Sequence, residues 1–140
     1  LKHVIRESMR LNAVAAAGSI RLTAKAFRYY PKDDDGNKKA AADCCLTIPK
    51  NSIVLMPFFA IQRDRQVYEQ PDKFFPQRWE SPTREMLSSW MGFSVGRRNC
   101  KGQLLANTEM QLVLARLFGG DYEWSVVDPG HAEYSVTLKT

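Results

Sequence analysis

Residues 93–102 read FSVGRRNCKG and place one cysteine, Cys100, among arginines and glycines just before a run of helix-forming residues. The unpaired N–H groups and the positive dipole end of a helix N-terminus would face a sulfur at this position, which favours a thiolate. Gly96 and Gly102 permit backbone conformations that other residues avoid, so the chain could approach a flat partner closely. Arg98 offers a planar fork that suits a carboxylate.

A thiolate, a close-approach loop and a carboxylate-binding arginine together indicate a metal macrocycle that bears propionate groups. Two other interpretations of Cys100 stay open at this point. A lone cysteine is often a buried structural residue in a turn. A cysteine at a helix N-terminus can also be a catalytic nucleophile, although no nearby sequence signal marks its base. One cysteine with two glycines does not decide among the three.

Two helices are predicted from apolar spacing and helix propensity. The chain opens on LKHVIRESMRL, whose apolar residues follow helical spacing, so it begins inside a helix that runs to about Asn12. After Cys100, the segment QLLANTEMQLVLARLF is mostly apolar and rich in helix formers, and it stops at Gly119. This composition predicts a largely buried helix.

Short strands and loops are predicted for the rest of the chain. SIRLTAKAF alternates as a half-exposed strand does, and CLTIPKNSIVLMPFF predicts a hairpin of two strands around a turn at residues 49–52. The segment YYPKDDDGNKKAAADCC is typical of a surface loop, and residues 62–90 predict short helical turns held by Phe and Trp packing. Weak alternation in the tail predicts C-terminal strands. The expected fold class is therefore mainly α with small β-sheets, without an internal repeat or linker.

Composition excludes several classes of function. The chain has 140 residues, 44% of them hydrophobic, which predicts one globular domain. Its formal charge of +5 comes from scattered residues without a Lys/Arg run, so no nucleic acid partner is expected. Three cysteines without C-x-x-C spacing and two distant histidines, His3 and His131, fit neither a zinc site nor a disulfide framework and favour a reducing compartment. The acidic run at residues 33–35 lacks the spaced ligands of a calcium loop.

The cysteine segment resembles the heme-binding signature of the cytochrome P450 family, F-x-x-G-x-R-x-C-x-G. Phe93, Gly96, Arg98, Cys100 and Gly102 fill all of its fixed places. With two further motifs in the expected order, the resemblance extends over almost the whole chain, from the helix conventionally called K to the C-terminus. It implies the C-terminal, proximal part of the cytochrome P450 fold, with residues 1–140 as an incomplete heme-binding portion of that domain.

The two further motifs precede the signature. Glu7 and Arg10 match the helical E-x-x-R pair, and FFPQRW at residues 74–79 matches the F-x-P-x-R-[FW] element, with Arg78 as its arginine. Without these motifs, Glu7 and Arg10 would be taken for an ordinary surface pair worth about 0.2–0.5 kcal/mol. The resemblance implies instead that the pair joins Arg78 in a buried structural network beside the heme loop, and that neither residue is catalytic.

The resemblance also implies a role for the residues around the cofactor. Cys100 would be the proximal thiolate ligand of heme iron, and Arg98 would bind a heme propionate. Arg21 lies near the place of a second propionate-binding arginine, displaced by about one residue. Phe93 would shield the sulfur, and the Gly102 N–H would be among the donors that tune it.

The chain departs from the family pattern at three places outside the ligand set. Residues 12–14 replace the Pro-rich text usual after E-x-x-R-L, and QRDR at residues 62–65 replaces the common His-Arg-Asp-Pro. Lys101 follows the ligand, where an apolar residue or a proline is more usual. The family's distal helix, which bears an acid–threonine pair, has no counterpart in these residues.

By resemblance, the complete protein is a heme-thiolate monooxygenase that inserts one oxygen atom of dioxygen into an organic, apolar substrate. Its two electrons would come from a redox partner, a flavoprotein reductase or a ferredoxin. The alternative for the chain as given is an inactive truncated fragment or gene-model piece that binds heme weakly or not at all. An intracellular location is expected. No stretch of the chain reaches the roughly 20 apolar residues of a bilayer span, and because the chain begins inside a helix, a membrane anchor before Leu1 stays open.

Overall fold

A computed structural model describes residues 1–30 and 45–120 of the chain. The predicted acid-rich loop lies almost entirely outside these ranges, as do the predicted C-terminal strands. The chain divides into two compact units. The larger comprises residues 1–16 with the chain from Phe58 onward, and the smaller comprises residues 17–57.

The larger unit is helical within the described residues. Its α-helices are α1 (Lys2–Leu11), α2 (Phe58–Ile61), α3 (Arg84–Ser89) and α4 (Gln103–Phe118), and its 3-10 turns are Pro76–Trp79 and Gly96–Arg98. The positions of α1 and α4 confirm the two predicted helices, and the short helical turns expected within residues 62–90 are also present. The structure describes no helix long and apolar enough to cross a bilayer.

Two apolar clusters form the core of this unit. In the first, Ile5 and Met9 lie one turn apart on α1 and bury Phe93. In the second, Tyr68 and Trp79 meet edge-on, with ring centroids 6.2 Å apart, against a third buried side chain from α3. The predicted packing by Trp is therefore confirmed, and it holds the chain on both sides of the FFPQRW motif. The predicted packing by Phe is wrong for this segment, because Phe74 and Phe75 are 50% and 43% exposed.

The prediction that helix α4 is largely buried is wrong. None of its residues is buried, and Leu104 and Leu112 are 81% and 65% exposed. Apolar residues occupy every face of this helix, and a helix packs only the face that meets a neighbour. The stripe of Ala106, Met110 and Leu114, spaced four residues apart, packs on the first cluster.

The smaller unit is an antiparallel ribbon rather than the predicted hairpin. Its strands are β1 (Ser19–Leu22), β2 (Phe27–Tyr29), β3 (Leu46–Ile48) and β4 (Ile53–Met56). β1 pairs with β4 and β2 pairs with β3, so β3 and β4 do not pair with each other. The predicted strand in SIRLTAKAF is likewise interrupted, at residues 23–26.

Thr23 explains why residues 49–52 do not reverse the chain. Its N–H donates to Ser52 O (3.0 Å), and its carbonyl accepts from Asn51 N (2.9 Å). Its hydroxyl donates to Pro49 O (2.7 Å) and accepts from Ser52 N (2.9 Å). These bonds continue the strand pairing between its two regular parts, so residues 46–56 form one irregular strand paired with residues 19–29.

Candidate functional site

The loop that leads to Cys100 is held by its own backbone. Ser94 N donates to Met91 O (3.0 Å), which closes a turn, and Cys100 N donates to Phe93 O (2.8 Å), which closes the loop. Ser94 has a φ of 60° and Gly96 a φ of 72°, so two left-handed residues bend the chain within this short stretch. The backbone, rather than a flexible side chain, therefore sets where the cysteine stands.

Two glycines leave the backbone around the cysteine uncovered by side chains. A Cβ on Gly96 would meet no atom within 4 Å, so glycine is needed there for its positive φ, and the side toward which a Cβ would project is open. Gly102 is the N-cap of α4, and a Cβ on it would lie 3.9 Å from Cys100 Sγ. Cys100 itself is exposed. The loop thus presents an accessible thiol flanked by backbone.

Phe93 anchors this loop to α1. It is 8% exposed, and its ring meets Trp90 edge-on with centroids 5.9 Å apart. Trp90 Nε1 in turn donates to Arg6 O at 3.1 Å. The side chain of Phe93 therefore belongs to the core while its carbonyl holds Cys100, and the expectation that it shields the sulfur stays a prediction.

The surface of the loop is positively charged. Arg97, Arg98 and Lys101 are exposed, and together with Asn99 they line an open depression. Three cations this close together attract carboxylates, whether on a small molecule or on a protein surface. Such a surface suits the carboxylate-binding role predicted for Arg98.

Arg21, the remaining predicted residue, lies on β1 in the smaller unit. Its guanidinium donates to Ser19 Oγ and to Ile20 O (2.9 Å). Five of the six residues predicted to bind the cofactor thus lie in one loop, and the role of Arg21 stays a prediction.

A buried carboxylate, Glu7, lies on α1, the helix whose Ile5 and Met9 pack with Phe93. Glu7 is fully buried and receives five hydrogen bonds: from Arg10 Nε and Nη2 (both 2.9 Å), Arg78 Nε (3.0 Å), Trp79 Nε1 (2.8 Å) and Phe75 N (3.1 Å). The predicted network of Glu7, Arg10 and Arg78 is therefore confirmed, and the alternative of an ordinary surface pair is wrong.

Burial and hydrogen bonding act on Glu7 in opposite directions. Burial raises the pKa of the carboxyl group, because a charge loses its hydration. Hydrogen bonds from Arg10, Phe75 and Trp79, with the positive charge of Arg10, outweigh burial and leave the pKa below its ordinary value of 4.5. Glu7 is therefore an anion at neutral pH, which excludes it as a general acid there.

Arg10 extends the network beyond the pair. Its Nη1 donates to Gln62 O at 2.8 Å, and its guanidinium lies over the Tyr68 ring, 5.0 Å from the centroid. The full burial of Gln62 was not predicted, because a glutamine after an apolar run is usually a surface residue. The part played by Trp79 Nε1 was also missed, although its place in the FFPQRW motif marked the residue itself.

A comparison with protein families shows to which family the chain belongs. The family model for cytochrome P450 matches residues 1–131. The chain belongs to the cytochrome P450 family. Its mixture of helices with small antiparallel sheets agrees with that family's α+β fold.

Individual P450 proteins support this assignment. FGM1, a cytochrome P450 monooxygenase of Gibberella zeae, is 32% identical over 125 residues, which is 86% of this chain and 22% of that protein. Cytochrome P450 3A6 of Oryctolagus cuniculus is 33% identical over 119 residues, or 84% of this chain and 21% of that protein. The human mitochondrial 25-hydroxyvitamin D-1 alpha hydroxylase is 39% identical over 72 residues, which is 50% of this chain and 14% of the relative.

A solved P450 structure shares the fold. The cyanobacterial CYP120A1, solved with retinoic acid bound, matches 83% of this chain with a TM-score of 0.63 at 24% identity, over 24% of its own length. The chain spans about a fifth of the length of the first two relatives, at 22% and 21%.

The residues present fit the cofactor that this P450 membership implies. Residues 1–30 and 45–120 hold no cluster of three His, Cys, Asp or Glu side chains that could bind a metal ion. Heme needs only an axial ligand from the protein because its in-plane ligands belong to the macrocycle, and an exposed cysteine thiol is one such ligand. The open backbone at Gly96 and the exposed Arg98 suit a flat group with carboxylates at its rim.

Proposed function

We propose that the complete protein is a heme-thiolate monooxygenase whose iron is bound by Cys100, and that residues 1–140 are the C-terminal, proximal portion of its P450 domain. The observation that carries the proposal is the exposed Cys100, held by Phe93 O and next to Gly102 at the start of α4. Relatives named as monooxygenases support the activity, among them FGM1.

Each residue of the loop has a separate task in this proposal. Bound heme supplies the dioxygen and electron-transfer chemistry, and an axial thiolate donates electron density that favours cleavage of the O–O bond. Cys100 provides that thiolate from a position set by backbone hydrogen bonds. Arg98 holds a propionate, Gly96 leaves space for the macrocycle, and the Gly102 N–H is among the donors that tune the basicity of the sulfur.

The proposal includes an acidic redox partner, a flavoprotein reductase or a ferredoxin. Arg97 and Lys101 are exposed beside Arg98, and they stay free to attract such a partner when Arg98 is occupied by heme. The substrate is an organic, apolar molecule. An intracellular location agrees with the mitochondrial relative, and a membrane-associated form is compatible with it.

A second candidate applies to the 140-residue chain by itself, which would be an inactive fragment with weak or no heme binding. The apolar faces of α4 favour it, since Leu104 and Leu112 are exposed within the described part of the chain. Exposed leucines of this number are typical of a surface that packs against more protein.

Isotope incorporation tests the proposed activity. The complete protein, supplied with a reductase and a panel of apolar compounds under dioxygen labelled with heavy oxygen, is expected to place one labelled atom in the product. Cys100→Ser abolishes this product, whereas Cys45→Ser, which removes the other described thiol, retains it. Labelled product from Cys100→Ser at the parent's rate, or oxygen that comes from water, would contradict the proposal.

A further inference from the structure

Gln62 connects the C-terminal end of α1 to the segment that leads into the cysteine loop. It follows α2 directly and is fully buried. Its side-chain Nε2 donates to Met9 O (3.3 Å) and Arg10 O (3.2 Å), and its Oε1 accepts from Met91 N (2.7 Å). All of these groups belong to the larger unit.

The hydrogen bonds determine how the amide is oriented. The last carbonyls of a helix have no partner within the helix, so Met9 O and Arg10 O both need a donor. Met91 N is a donor and needs an acceptor. Only a group with two N–H donors at one end and an oxygen at the other meets all three needs at once, and the carboxamide of Gln62 is such a group. The common family residue at this place, histidine, has two ring nitrogens and can meet only two of them.

A short path leads from Gln62 to Cys100. Met91 N is held by Gln62, and Met91 O accepts from Ser94 N at 3.0 Å, so the turn that starts the loop is fixed at its first residue. Phe93, inside that turn, accepts from Cys100 N at 2.8 Å. A shift at Met91 would therefore move the backbone on which the cysteine stands.

We propose that Gln62 is a positioning residue that fixes the base of the cysteine loop on the end of α1 and thereby places Cys100 Sγ for iron binding. This inference rests on the proposed function of Cys100. Gln62 itself touches neither heme nor substrate. It acts through Met91, and its removal leaves the part-buried Met91 N–H without an acceptor.

The test compares Gln62→Met with Gln66→Met in the complete, heme-loaded protein. Methionine matches glutamine in length and fills the same space without hydrogen bonds, and Gln66 is an exposed glutamine on the same segment. Gln62→Met is expected to accelerate hydrogen exchange at the Met91 amide and to speed heme loss to an acceptor protein by about tenfold, as changes near a metal ligand do. Gln66→Met keeps both rates of the parent.

Two further variants separate positioning from general stability. Met86→Ala destabilises the second apolar cluster and is expected to leave exchange at Met91 unchanged relative to that in α4. Gln62→His keeps one donor and one acceptor, and an intermediate heme-loss rate is expected; it also serves as the readout if Gln62→Met does not fold.

Heme loss from Gln62→Met at the parent's rate would overturn the inference, and so would equal heme loss and equal Met91 exchange in Gln62→Met and Met86→Ala. If instead Cys100→Ser retained the parent's thiolate spectrum, the proposed function would fail whatever the Gln62 variants showed. The two failures are therefore distinguishable.

Discussion

Glu7 illustrates at the scale of one residue why a buried charge needs so many partners. A carboxylate removed from water loses several kcal/mol of hydration, about as much as its attraction to one cation returns. Glu7 has two cations and two further N–H donors on its oxygens, and Arg78 is itself 6% exposed in its side chain. Glu7 and Arg10 are thus one part of a network, and a change at any member removes a hydrogen-bond partner from another.

Replacement of Glu7 by Gln is expected to lower the free energy of unfolding by about 3 kcal/mol, because it leaves the buried charges of Arg10 and Arg78 uncompensated. Urea denaturation of the complete protein measures this loss. Glu80→Gln is the matched control, because Glu80 is an exposed glutamate at the end of the FFPQRW turn. Equal denaturation midpoints for Glu7→Gln and the parent would contradict the network's stabilising role.

The difference in stability between the parent and Glu7→Gln also depends on pH. Because the pKa of Glu7 is lower in the folded protein than its ordinary value, its contribution is complete above pH 4.5 and is lost as the pH falls below 4.5 through the folded value. The difference in stability between the parent and Glu7→Gln is therefore expected to shrink in that acid range. A difference that stays constant there would mean that Glu7 is not the titrating group.

Residue-level prediction from sequence succeeded where partners are local or where a family motif names them. The pair of Glu7 and Arg10 lies at helical spacing, and the motif supplied Arg78. The bonds from Phe75 N and Trp79 Nε1 come from 68 and 72 residues away, and the Gln62 bonds to α1 span 53 and 52. Local propensity carries no information about such contacts, because they form only when the fold brings distant segments together.

At the scale of elements, the ribbon and α4 show where local patterns mislead. The hairpin expected at residues 49–52 has the composition of a turn, but Thr23 satisfies its backbone groups from across the ribbon, so the chain continues. The composition of α4 predicted its helix correctly and its burial wrongly, because burial depends on what lies around a helix. Periodicity identifies an element more reliably than it identifies the element's neighbours.

The cysteine loop is the element whose charge can be tested for partner binding. Arg97→Glu with Lys101→Glu is expected to slow reduction of the complete enzyme by its redox partner and to flatten the salt dependence of that rate, since salt screens such fields over about 8–10 Å. The carbon monoxide spectrum should stay normal. Arg65→Glu with Arg84→Glu makes the same change of net charge at exposed positions outside the loop and serves as the control.

Unchanged reduction rates at low salt for the loop variant would remove Arg97 and Lys101 from the docking surface. Equal slowing by the control pair would mean that net charge, rather than this loop, governs the encounter.

At the scale of the whole molecule, the chain spans about a fifth of the length of the first two relatives, 22% and 21%. This share limits the activity that we expect of these residues alone. The purified chain of residues 1–140 is expected to take up hemin weakly and to show no turnover, because no described residue covers the open side of the cysteine loop. Titration with hemin, followed by its absorbance, measures the uptake against the complete protein as reference. Tight stoichiometric binding together with oxygenation of a substrate would contradict this expectation.

Iron ligation by Cys100 is the central claim, and the ferrous carbon monoxide spectrum of the complete protein tests it most directly. The parent and Cys45→Ser are expected to show the long-wavelength Soret band of a thiolate ligand, because Cys45 is a free thiol that no signature motif contains. Cys100→Ser and Cys100→His are expected to lose that band while they still bind heme in part. A thiolate band that survives in Cys100→Ser would contradict the assignment of Cys100 as the iron ligand.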